Sequence, residues 1–136
     1  MKSGTVVRKY ALLLALMALL ALAVGTSSAA SMLDFDIWMR KIDKKIVDVQ
    51  KRIAQKDDEA AIQSAEEIED LYLKMENYFI QIKHPEEAVQ MSREGKEAAA
   101  IISASVRNQD YDKGVLAAVS IARACSACHD NYRPFK

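Results

Sequence analysis

Near the end of the chain, Cys125-Ser126-Ala127-Cys128-His129 sets two thiols and an imidazole at helical offsets of 0, 3 and 4. On a helix those offsets bring all three side chains to one face. Four chemistries compete for such a face. C-x-x-C-H is the attachment pattern of c-type haem, in which the two thiols add to the two vinyl groups and the adjacent imidazole points at the iron. A thioredoxin-like dithiol would carry C-x-x-C at the start of a helix after a strand, where the helix dipole lowers a thiol pKa. Here the motif falls late in a helical pattern with no strand before it. A structural zinc site needs four nitrogen or sulfur ligands, and beyond the motif residues 31–136 offer only His84. A disulfide between residues three apart closes too short a loop to stabilise much. Only haem attachment uses both thiols and the imidazole. One haem c, bound covalently through Cys125 and Cys128 with His129 as an axial iron ligand, is therefore the expectation.

The elements that must position this turn are helical. Residues 31–136 contain only Gly95, Gly114, Pro85 and Pro134 as helix breakers, and Ala, Glu, Lys, Ile and Gln dominate the rest. A β-rich chain would need more turn residues and β-branched alternation. A first helix is expected over about 34–55, with Phe35, Trp38, Met39, Ile42, Ile46, Val49 and Ile53 advancing in steps of three or four. Ser31 and Asp34 resemble a capping pair ahead of it. A second helix begins near Asp57-Asp58, whose carboxylates suit a helix N-terminus, and carries Ala61, Ala65, Ile68, Tyr72, Met75 and Phe79. Pro85 marks the next start. The third helix shows Ala88, Met91, Gly95, Ala98 and Ile102 on one side, and Gly95 anticipates close approach of a neighbouring helix or a flat ligand. After Asn108-Gln109-Asp110, a fourth helix carries Tyr111, Val115, Ala118, Ala122, Cys125, His129 and Tyr132, and Pro134 closes it. Four helices joined by short connections predict an all-α, antiparallel four-helix bundle with the haem bound between helices.

The first thirty residues read as a cleaved signal peptide. Lys2, Arg8 and Lys9 precede an apolar run from Ala11 to Val24, and Ser28-Ala29-Ala30 offers small residues for cleavage after Ala30. Fourteen apolar residues fall short of the ~20 that span a bilayer. The expectation is one domain over residues 31–136, soluble after cleavage and located in the periplasm. The signal takes three basic and no acidic residues, so residues 31–136 hold 16 basic against 19 acidic side chains, a net charge of −3. A mildly acidic surface without a basic cluster argues against nucleic acid and leaves a protein or a small molecule as partner.

With C-x-x-C-H in the last of four helices, close to the C-terminus and followed by Asp130-Asn131-Tyr132-Arg133, the chain resembles class II cytochrome c, the cytochrome c prime family. The architecture matches over the whole of residues 31–136; the specific part is residues 125–133. The resemblance implies a bundle with haem lodged between helices and often a homodimer through the first two. It assigns Arg133 to the basic position beside the proximal face of the haem, although an arginine at a helix C-terminus also suits the dipole. It makes the distal residue on the first helix decisive. A methionine there gives His/Met ligation, a raised potential and electron transfer; a non-ligating residue leaves iron open to nitric oxide or carbon monoxide.

Met39, followed by Arg40, falls at that distal position. Met39 also reads as core packing, as do Met75, Met91 and Met32. Where the family commonly has an arginine near a haem propionate, this chain has Phe35, and Arg40, Lys41 or Lys44 would have to serve. Trp38 reads as core or interface, and His84 beside Pro85 as a connection residue rather than a second axial ligand. The expected function is a periplasmic single-electron carrier with His129/Met39 ligation and redox partner proteins, transforming no substrate. A five-coordinate protein binding a small gaseous ligand is the alternative, and a haem-free thiol–disulfide exchange protein stands behind it.

Overall fold

A computed structural model describes residues 30–132. Residues 1–29, which hold nearly all of the expected signal peptide, and residues 133–136, with Arg133 and Pro134, lie outside the described residues. The four expected helices are α1 (Met32–Gln55), α2 (Asp58–Gln81), α3 (Glu86–Arg107) and α4 (Tyr111–Tyr132).

Helix α1 starts two residues before the expected position because Ser31 is its N-cap. The Ser31 hydroxyl accepts from the Asp34 N–H at 3.2 Å, and the Asp34 carboxylate accepts from the Ser31 N–H at 2.9 Å. That reciprocal box satisfies two donors which a helix start otherwise leaves open. The Ser31 hydroxyl also donates to the Asp34 carboxylate at 2.6 Å, and that hydrogen bond first, with the one from the Ser31 N–H second, holds the Asp34 carboxyl below its usual range. Lys56 ends α1 in the left-handed region at φ 58°, its N–H returning to the carbonyls of Arg52 and Ile53. Asp57 then caps α2, accepting from the Ala60 N–H at 3.4 Å and pairing with Arg52 at 3.0 Å. Two residues suffice to reverse the chain.

The apolar stripes meet in one core. Ile42, Ile46, Val49 and Ile53 of α1 are buried against Ala61, Ala65, Ile68 and Tyr72 of α2, with Ala99, Ile102 and Val106 of α3 and Ala118 and Ile121 of α4. Each large aliphatic side chain withdrawn in this way contributes about 1.5–3 kcal/mol as an upper estimate. In α3 the buried face is wider than its expected stripe and includes Ser92, Ser103 and Ser105. Ser92 is tolerated there because its hydroxyl donates to the Ala88 carbonyl one turn back, at 3.1 Å. In α4 the inward row runs Gly114, Ala118, Ile121, Cys125, and Ala122 is exposed. Ala122 sits one residue past Ile121, far enough around the helix to leave the core.

Successive helices pack side by side and α4 returns to α1, which closes the bundle. Of the four neighbouring pairs, α1 and α4 are the least closely packed. Among the described residues there is no strand, and no helix is long and apolar enough to cross a membrane.

Candidate functional site

The loose seam between α1 and α4 opens into a cleft at the end of the bundle that holds the α1 N-terminus and the α4 C-terminus. The enclosed space is about 140 Å³, and about 740 Å³ when the solvent-open mouth is counted. Cys125, Cys128 and His129 all line it from α4, as the 0, 3, 4 spacing requires. Met39 faces it from α1, Met75 from α2 and Met91 from α3. The helical stripe therefore brings three thioethers, two thiols and an imidazole to one mostly apolar cavity. Met32 lies elsewhere, exposed, with its sulfur accepting from the Tyr78 hydroxyl at 3.8 Å.

Both cysteines are free and half-buried, and His129 is exposed. Burial pushes the Cys125 thiol up; the hydrogen bond with Tyr72 acts in the opposite direction, and the negative charge of Asp43 adds to the rise. Burial likewise raises Cys128, with Cys125 and Glu87 adding charge repulsion. Neither thiol is activated as in a dithiol oxidoreductase, where a helix N-terminus or a cation favours the thiolate. The motif instead ends a helix, whose C-terminal carbonyls disfavour anions. Among the described residues, no group of three or more His, Cys, Asp or Glu side chains is arranged to hold a bare metal ion.

The chain matches no protein-family model, no curated protein and no solved structure. Its residues set paired thiols and an imidazole on the α4 wall of a mostly apolar cleft, a donor set that could hold a group tethered through sulfur.

Other expected site residues separate cleanly. Phe35 belongs to an aromatic cluster, stacked on Tyr78 at 5.2 Å and edge-on to Phe79 at 5.0 Å. Trp38 joins the same cluster against Tyr78 at 6.4 Å. Arg40 lines the cleft at its rim, paired with Asp36, whereas Lys41 and Lys44 do not line it. Arg40 is thus the cation of α1 nearest the mouth. His84 packs on Phe79 at 4.8 Å in the α2–α3 connection and does not line the cleft. Arg133 lies outside the described residues.

Sequence reasoning missed the rim acids Asp36 and Asp43 and the floor residues Tyr72 and Ser92. Tyr72 was visible only as one more member of the α2 stripe. The signal that could have singled it out is Gly95, for a Cβ added there would collide with carbons of the Tyr72 ring. The close approach expected at Gly95 is this ring. Tyr72 is buried, and its hydroxyl is hydrogen-bonded to the Cys125 sulfur at 3.6 Å. Burial first, and the neighbouring Cys125 second, push its phenol well above the ordinary tyrosine value.

Proposed function

We propose that this chain is a class II-like c-type cytochrome, a one-electron carrier that holds one haem c through Cys125 and Cys128 with His129 and Met39 as axial iron ligands. The observation that carries the reading is the convergence of both sulfurs and the imidazole of the C-x-x-C-H turn on one apolar cleft. Bound haem supplies a one-electron iron couple, whose potential a methionine ligand raises.

The chain's own residues supply the rest. Cys125 and Cys128 tether the group, so it cannot leave when iron changes charge. His129 belongs to α4 and Met39 to α1, the two helices that border the loose seam, so they would hold the iron from different helices. Met75 and Met91 line the same cleft but come from α2 and α3, which gives them the weaker claim to the distal position. Ile42, Met75 and Phe79 give the cleft an apolar lining, which favours an apolar ring over water. The Asp36–Arg40 pair stays at the solvent-facing rim, where a redox partner protein would dock. Export to the periplasm and solubility after signal cleavage complete the reading.

Absorption spectroscopy tests it, on protein made in a host that attaches haem. The expected product is a coloured protein that keeps its haem through acid–acetone extraction, low-spin when ferric, with a sulfur-to-iron band lost in Met39→Ala. A high-spin ferric spectrum in the wild type that changes on adding nitric oxide would replace the carrier with a gas-binding protein. A colourless product with two titratable thiols would sink the cytochrome altogether.

A further inference from the structure

Tyr72 draws three helices together at the floor of the cleft. Its ring, from α2, is 5% exposed and lies over Gly95 of α3 so closely that a side-chain carbon at Gly95 would overlap it. A ring wedged in this way leaves its hydroxyl little choice of direction, and what it meets is the Cys125 sulfur of α4, at 3.6 Å. The two cysteines of the turn are therefore not equivalent. Cys125 packs against the core and is held by the phenol; Cys128 lies one turn further toward the end of the helix.

We propose that Tyr72 is a positioning residue, which donates an O–H···S hydrogen bond to Cys125 and directs that thiol into the cleft, so that Cys125 is the guided and Cys128 the unguided of the two sulfurs offered to the porphyrin vinyl groups. The bond to be formed needs such guidance. In adding a thiol across a vinyl double bond, a carbon–sulfur bond forms at one carbon and the thiol proton ends on the other, with nothing oxidised or reduced. Sulfur must therefore meet one particular carbon, and reaction depends on the fraction of time the two are correctly placed. The vinyl part of this inference rests on the cytochrome reading; the orientation of Cys125 does not.

Two measurements on the haem-free whole chain test the orientation. In Tyr72→Phe the ring stays over Gly95 and only the hydroxyl is lost. Limited alkylation with iodoacetamide at one fixed pH, followed by peptide mass spectrometry, gives the ratio of Cys125 to Cys128 labelling. Loss of the hydroxyl is expected to lower that ratio about fivefold, the size of one modest hydrogen bond. In a Cys128→Ser background the infrared S–H stretch of Cys125 should move when Tyr72 becomes Phe, a change that simple loss of packing would not produce. An unchanged ratio together with an unmoved band would overturn the proposal.

Haem-loaded protein tests the consequence. The pyridine haemochrome spectrum separates haem with two saturated vinyl groups from haem with one. Tyr72→Phe is expected to accumulate the singly attached form, joined through Cys128. Complete double attachment at the wild-type level would refute the guiding role. Wild-type protein that takes up no haem would instead defeat the cytochrome reading, while the alkylation and infrared results would still decide whether Tyr72 orients Cys125.

Discussion

Where α1 passes to α2 and α3 passes to α4, the bundle closes on withdrawn aliphatic residues: Ile53 is 3% exposed, Ala61 0% and Val106 1%. The Tyr111 hydroxyl donates to Asp58 at 3.1 Å there, and the Lys56 ammonium lies 3.4 Å above the Tyr111 ring. At the opposite end the helices are lined with Met39, Met91, Cys125 and Cys128, all half-buried around open space. That end is braced from outside instead. Glu76 of α2 accepts from Arg93 at 2.7 Å and from Lys96 at 2.8 Å, both on α3. Packing holds one end and charged hydrogen bonds help to hold the other. Stability and chemistry thus occupy different layers of one bundle, and α1 and α4 can stay apart at the mouth without unravelling.

Cavity formation breaks this comparison most directly. Ile53→Ala is expected to cost about 3 kcal/mol, because the closed end has no slack to absorb the loss, whereas Met91→Ala should cost less than about 1 kcal/mol. Urea denaturation of both variants measures the difference, and equal losses would mean that the cleft is packed as tightly as the core. Gly95→Ala comes next. Its methyl would collide with the Tyr72 ring, and overpacking offset by the better helix propensity of alanine leaves a net cost of about 1–2 kcal/mol. A gain in stability would show that Tyr72 moves aside freely.

The smallest effect concerns Glu76. Hydrogen bonds from Lys96 and Arg93 hold its carboxyl below the ordinary value of 4.5. A lowered native pKa makes the contribution complete above that ordinary value and removes it as pH falls through the lower native one. Glu76→Gln should therefore cost about 1 kcal/mol at neutral pH, since both cations remain partly in solvent, and progressively less in acid. Denaturation midpoints across pH 2–7 check this: the variant should lose less stability on acidification than the wild type, and parallel curves would rule out the brace.

Much of the bundle was legible from periodicity. The α2 stripe from Ala61 to Phe79 is buried throughout, because that helix lies between α1 and α3 and has no free edge on its inner side. The α1 stripe divides: its later members are buried, while Phe35, Trp38 and Met39 are half-buried. Periodicity shows which side of a helix turns inward; it does not show that neighbouring helices part company partway along. The buried serines of α3 escaped notice because their hydroxyls read as polar, although Ser92 satisfies its own locally. The shared face of Cys125, Cys128 and His129 follows from spacing alone. The partnership of Cys125 with Tyr72, 53 residues earlier, depends on how three helices meet, and no local pattern encodes it.

The weak α1–α4 seam joins the earliest of the four helices to the latest. Because α4 follows the other three helices along the chain, the wall bearing both sulfurs is made after the rest of the cleft. Whatever settles in that space would tie the first of the four helices to the last, across the one seam where the bundle's own packing is weakest.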